Sequence, residues 1–212
     1  MSKVYRIGKV LKAADPGFVL FTNPHSYGPY AEKKFNATLE RLAECYDVIE
    51  FYRPNLTPAV VAKAKSLPFK ELWTYSIWNK TSSPASYRRD VWENMRDGFD
   101  ISVYWHIDRM AGGDGFDSSD TMNAANDLRT TDEGSFYFDY DSGDFLQSRR
   151  SIAHDIGHED LKLVRALRAK YANDAKRLAE ISQIVKEAAD KGTMAAMDEA
   201  REKLLTMGPI DQ

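Results

Sequence analysis

The chain has 212 residues, enough for one large domain or one domain with an appendage and too few for two full enzyme domains. Hydrophobic side chains make up 43% and charged ones 29%, while Gly (12) and Pro (8) are scarce, which excludes disordered, collagen-like and low-complexity classes. The 29 basic and 32 acidic side chains leave a net charge of -3, so no field favours nucleic acid or an anionic membrane.

In chain order, the first residues lack the apolar stretch of a signal peptide, and no later apolar run approaches the ~18 residues of a membrane span, so a soluble chain is expected. Residues 18–22 are the first of four short runs rich in β-branched and aromatic side chains; the others are 48–52, 72–77 and 101–105, and each predicts a strand. Between the first two, Phe35, Leu39, Leu42 and Tyr46 follow a helical period. Cys45 sits near that helix's end; as the only cysteine it cannot form an internal disulfide, and no His signature marks it as a nucleophile, so it reads as a half-buried thiol. Thr57-Pro58 and Ser83-Pro84 resemble an N-cap with proline at the first helical position, the former opening a stripe of Val60, Val61, Ala64 and Leu67.

Beyond Asp108 a polar, Gly/Asp-rich stretch runs to Glu133, too long for an ordinary loop and placed to cover a site. A short run at 135–140 follows, then a helical region from about Phe145. The last aromatic residue is Tyr171, and the composition shift near Asn173 predicts a boundary: 1–172 as the main domain and 173–212 as a helical appendage. Leu178, Ile181 and Val185, then Met194, Met197 and Leu204, form two amphipathic helices split at Lys191-Gly192, with the methionines read as packing filler.

The strand runs begin 24–30 residues apart, the length of a strand plus a crossover helix, so they should be parallel and buried on both faces. That spacing suits a doubly wound sheet or part of a (β/α)8 barrel. Two features favour the barrel. No strand leads into a glycine-rich phosphate loop. Polar and aromatic groups also gather after the strands, at the edge where barrels place their sites: Asn23 and His25, then Tyr52 and Arg53, then Tyr75 and Trp78, and finally Tyr104, Trp105, His106 and Asp108. Such a mouth suits carbohydrate, whose C–H faces stack on aromatic rings while Asn, Arg, His and Asp satisfy its hydroxyls. Strand alternation turns either Tyr104 or Trp105 away from that mouth, and Trp73 and Trp92 are expected to pack under helices.

Other constellations carry less. His154 and His158 stand four apart on a predicted helix, but the segment lacks the Glu of a zinc-peptidase helix and a third ligand, so a solvated face is expected. Asp114, Asp117 and Asp120 do not match a calcium loop. No metal or cofactor is expected. Glycoside cleavage needs two carboxyl groups, or one acid plus a group orienting the substrate's own acetamido nucleophile. Glu50 and Asp108 are the only carboxylates on or just after the predicted strands, and both are weak catalytic candidates.

Three stretches together resemble the last barrel strands of glycoside hydrolase family 123 and related uncharacterised barrels: Leu72-Trp73-Thr74-Tyr75, Tyr87-Arg88-Arg89-Asp90-Val91-Trp92, and Gly98-Phe99-Asp100-Ile101-Ser102-Val103-Tyr104-Trp105. Ser148-Arg149-Arg150 with Gly157-His158-Glu159-Asp160-Leu161 is similar to that family's Ser-x-Arg…Arg-Asp-Gly-Ile-Glu-Asp-Tyr helix, with Asp155 and Ile156 in place of Arg-Asp and Leu161 in place of Tyr. Asp15-Pro16 looks like the end of a barrel helix. The resemblance covers about residues 4–171 and implies a (β/α)8 barrel that hydrolyses N-acetyl-hexosamine linkages with substrate assistance, using an adjacent Asp-Glu pair on a middle strand. No Asp-Glu pair ends a predicted strand here: Asp132-Glu133 lies in the long loop, and Glu159-Asp160 and Asp198-Glu199 lie on helices.

The expectation is therefore an α/β chain, a partial (β/α)8 barrel of about four parallel βα units followed by C-terminal helices, corresponding to the C-terminal half of the barrel. It keeps the sugar-binding aromatics, lacks the catalytic pair and is inactive alone. The competing expectation is a non-catalytic carbohydrate-binding or assembly module. The partners implied are an amino-sugar-containing glycan and either a missing N-terminal half-barrel or a second chain pairing with an open sheet edge, with no nucleic acid and no membrane.

Overall fold

A computed structural model describes residues 2–24, 32–78, 82–104, 136–139 and 142–208. It falls into two compact units, Met1–Ser76 with Phe99–Val103, and Ile77–Gly98 with Tyr104–Gln212.

The first unit runs α1 (Ser2–Ala14), β1 (Phe21–Thr22), α2 (Glu32–Ala43), β2 (Val48–Tyr52), a 3-10 turn (Arg53–Asn55), α3 (Pro58–Lys65) and β3 (Glu71–Ser76); β4 (Ile101–Tyr104) completes the sheet. The strand order is β1-β2-β3-β4, with parallel registers that set Phe21 opposite Val48, Glu50 opposite Trp73 and Tyr52 opposite Tyr75. This is the alternating, parallel α/β arrangement that the spacing predicts. Thr57 caps α3 by accepting a hydrogen bond from Val60 N–H at 3.3 Å, with Pro58 in the first turn.

One face of this sheet is apolar. Ile49 and Phe51 of β2 and Leu72 of β3 pack with Leu39 and Leu42 of α2, Val60 and Ala64 of α3, and Phe99. Cys45 is fully buried in that cluster, and burial pushes its thiol further from ionisation, as befits packing rather than reactivity. A Cβ at Gly8 of α1 would lie 2.7 Å from Cys45 Sγ and 2.8 Å from the Tyr46 ring, so the close approach of α1 needs glycine there. Asp47, just before β2, ties the layer together: its carboxylate accepts from Leu20 N–H at 2.9 Å and pairs with Lys12 at 2.7 Å and Lys70 at 2.9 Å.

Strand alternation puts Trp73 on the opposite face from Leu72. It therefore does not join the core that α2 and α3 cover. Its ring sits 5.6 Å from that of Phe21, and its indole N–H donates to Glu71.

The second unit holds α4 (Pro84–Asp97), β5 (Phe136–Asp139), β6 (Asp144–Gln147), α5 (Arg149–Lys170), α6 (Ala175–Lys191) and α7 (Met194–Leu205). Residues 145–147, expected to begin the long helix, belong instead to an antiparallel hairpin, β5 with β6; the helix starts at the Ser148 cap, whose Oγ accepts from Ser151 N–H at 3.1 Å. Gly157 lets α5 approach α4 closely, since a Cβ there would lie 3.0 Å from Val91 and 3.3 Å from the Arg88 carbonyl. Gly192, left-handed at φ 62°, turns α6 into α7.

The C-terminal helices are integral to this unit. Ile181, Val185, Met197 and Leu204 share one core with Val91, Trp92, Met95, Leu161, Val164 and Leu167. The chain passes between the units at 76/77, 98/99 and 103/104, and the aromatic-poor helices beyond Asn173 bury Leu, Ile and Met in the second unit's core. Trp92 is fully buried, and Met197 is core filler as expected. Inside this core Asp160 is 0% exposed and accepts from Arg88 Nε and Trp92 Nε1, each at 2.8 Å, and from Arg201 Nη1 at 2.5 Å; Arg88 Nη1 also reaches Asp198 at 2.5 Å. No helix among the described residues is long and apolar enough to cross a membrane.

Candidate functional site

The face of the first unit's sheet turned away from its apolar core carries Glu50, Tyr52, Trp73 and Tyr75, because these alternate with Ile49, Phe51, Leu72 and Thr74. Toward the C-terminal ends of the strands three of them converge with Asn23, the first residue after β1. Asn23 Nδ2 donates to Glu50 Oε2 at 2.7 Å. The same amide hydrogen-bonds the Tyr75 hydroxyl, and the Tyr75 ring lies 5.2 Å from Tyr52 with the planes tilted by 37°. Parallel register makes Tyr52 and Tyr75 neighbours, while Asn23 arrives from a residue 27 positions away from Glu50.

Glu50 is only 8% exposed, and among the described residues Asn23 is its one hydrogen-bond donor. Burial pushes its carboxyl above the ordinary carboxylate range, and the Asn23 hydrogen bond offsets part of that shift. Burial likewise raises the Tyr75 phenol; Asn23 opposes the shift, and the nearby Glu50 and Tyr52 add to it. Asn23 Oδ1 is buried with no hydrogen-bond partner among the described residues, which leaves an acceptor for a ligand hydroxyl or amide N–H. Chemically the cluster offers a carboxyl biased toward its protonated, donating form, an amide acceptor, a phenol and two ring faces.

The other expected site residues lie elsewhere. Arg53 begins the turn after β2, and its guanidinium sits 5.8 Å above the Phe99 ring, on the Phe51 side of the sheet. Trp78 belongs to the second unit, where its indole N–H donates to Asp90 at 2.6 Å and its ring lies 6.3 Å from Tyr87. The Tyr104 backbone ends β4, while its side chain, together with His25, Trp105, His106, Asp108, the acidic residues 114–120 and the pair Asp132-Glu133, lies outside the described residues.

His154 is not on a solvated face. It is buried in α5, with its ring edge-on to His158 at 4.6 Å, because α5 turns that side inward. Among the described residues no group of three or more His, Cys, Asp or Glu side chains is placed to hold a metal ion.

Sequence reasoning missed the pairing of Asn23 with Glu50 and the ionic centre at Asp160. A signal existed for the first: a carboxylate at an inward position of a buried strand demands a partner, and the residue after the neighbouring strand is the nearest place to find one. No protein-family model matches the chain, and no curated protein matches it.

Proposed function

We propose that the first unit is part of a glycoside-hydrolase-type (β/α)8 architecture and binds an amino-sugar-containing glycan at the C-terminal edge of its sheet. The observation that carries this reading is the Tyr52–Tyr75 ring pair beside the buried Asn23–Glu50 hydrogen bond. Aromatic faces stack on sugar C–H groups, while a buried carboxyl and an orphan amide oxygen are the polar partners that an acetamido group or a pair of ring hydroxyls requires. The resemblance of the strand and helix motifs to glycoside hydrolase family 123 points to the same class of ligand.

Binding without hydrolysis is the activity proposed for this chain alone. The described strand ends carry no adjacent Asp-Glu pair, and one carboxyl cannot both protonate a leaving oxygen and hold an acetamido nucleophile. Calorimetric titration with N-acetyl-glucosamine oligomers is expected to show binding that Tyr52→Ala weakens by up to about tenfold, the worth of one stacking ring. No heat and no change in tryptophan fluorescence at millimolar sugar would sink the reading. Turnover of an aryl N-acetyl-hexosaminide that Glu50→Gln abolishes would instead make Glu50 a catalytic acid.

A further inference from the structure

Exposed apolar side chains are not spread evenly over this protein. Of the eleven large hydrophobic residues exposed among the described ones, seven fall between residues 4 and 21: Val4, Ile7, Val10 and Leu11 on α1, and Phe18, Val19 and Phe21 leading into and on β1. Val10 is 67% exposed, Val19 61% and Phe18 55%. Val10 points away from the sheet; the other six, at roughly 100 Å² apiece, present on the order of 600 Å², above the few hundred Å² that a soluble monomer ordinarily leaves in one patch and approaching one side of a standard protein interface.

The patch has two layers. On α1, Tyr5, Gly8 and Lys12 recur at helical spacing on the side that meets the rest of the unit, through Glu44, Cys45, Tyr46 and Asp47. Val4, Ile7 and Leu11 form a second stripe about a quarter-turn round the helix, which no described element covers. Below it, β1 is the outermost strand of the sheet among the described residues. Leu20 turns its carbonyl to Val48 N–H, so in extended chain its neighbours Val19 and Phe21 turn their backbone groups to the open edge.

We infer that this face is a two-fold interface between copies of this chain. A two-fold axis normal to the sheet pairs the two β1 edges antiparallel and lays the two α1 helices antiparallel with their stripes in contact. The charges fit that geometry. Lys3 stands at the start of α1 and Asp15 just past its end, so antiparallel helices bring Lys3 of each copy to Asp15 of the other. Lys9 and Lys12, which could have opposed such a contact, are already paired with Glu44 and Asp47 within the chain. Two copies can bury up to about 1,200 Å² from these side chains, at the lower end of the ~1,200–2,000 Å² of stable interfaces. Phe21 borders the face of the sugar cluster through Trp73, but the contact is made by α1 and the β1 edge, and neither proposal depends on the other.

The test is sedimentation equilibrium of the full chain at high micromolar concentration. The expected mass is twice 24.1 kDa, falling to 24.1 kDa in Ile7→Glu and in Val19→Lys, with circular dichroism unchanged because both side chains are already in solvent. A monomeric wild-type chain at that concentration overturns the proposal and leaves the face to a strand of a different polypeptide. A dimer that both variants preserve overturns it as well, by placing the contact elsewhere.

Discussion

Asp160 of the second unit and Glu50 of the first are buried in opposite ways. In the second, the Asp160 carboxylate accepts three hydrogen bonds, two of them from arginines, and Arg88 is itself shared between Asp160 and Asp198. Burial alone would lower the Arg88 pKa, but its two carboxylate partners more than compensate and raise it. In the first unit, Glu50 is almost as deeply buried and has one neutral donor. A buried charge met by several charged partners is architecture, because those partners already supply most of what a ligand could; of the polar atoms of Arg88 and Asp160, only Arg88 Nη2 lacks a partner among the described residues. A buried carboxyl left short of partners is where a ligand gains most by completing the set.

The largest expected effect tests the first half of that contrast. Asp160→Asn keeps the side chain's shape but leaves Arg88 in the core facing a neutral amide, and removing one partner of a buried ion pair typically costs about 3–5 kcal/mol. Urea unfolding should show a loss of that order. A loss below about 1 kcal/mol, the range of surface pairs, would mean that the centre is not the anchor of the helical unit.

A smaller effect is expected at Asp47, the compensated carboxylate of the first unit. Burial disfavours its charge, but Lys12, Lys70 and the Leu20 N–H together outweigh that and hold it well below the ordinary carboxylate range. Because the folded-state pKa is depressed, the stabilisation is fully present above the unfolded value and is lost as pH falls through the ordinary carboxylate range toward the folded one. Asp47→Asn should cost about 1–3 kcal/mol at neutral pH and flatten the acid limb of the stability profile. An unchanged acid limb would assign acid sensitivity to other groups.

Glu50 should behave with the opposite sign, and this is the smallest effect. Its folded-state pKa is raised, so between the unfolded and folded values the unfolded chain loses its proton first and stability falls as pH rises. Glu50→Gln removes that penalty. A small gain in melting temperature at neutral pH is expected, with none below the carboxylate range, where Glu50 is protonated in both states. Destabilisation at neutral pH would show that the ionised form is held by the protein, and the contrast between Asp160 and Glu50 would fail at that point.

Local signals in the chain were enough for the four strands, the Thr57 cap, the turn at Gly192 and the parallel pairing. Strand runs, proline after a capping residue and crossover-length spacing are properties of contiguous residues, and the structure returns three of the strands nearly at the expected bounds and shortens the first, expected over 18–22, to Phe21–Thr22. Position at the ends of parallel strands also put Tyr52 and Tyr75 at one sheet edge. What contiguous residues could not determine was which distant groups meet. Asn23 reaches Glu50 only because β1 lies beside β2, Arg88 meets Asp160 across 72 residues of chain, and the aromatic-poor helices join the core of α4 and α5 although their composition suggests a separate body. His154 was misjudged for the same reason: the side of an element that faces inward is set by what packs against it, which no single segment encodes. Tertiary structure alone decided those partnerships, because burial and electrostatic compensation are properties of a three-dimensional neighbourhood and not of position along the chain.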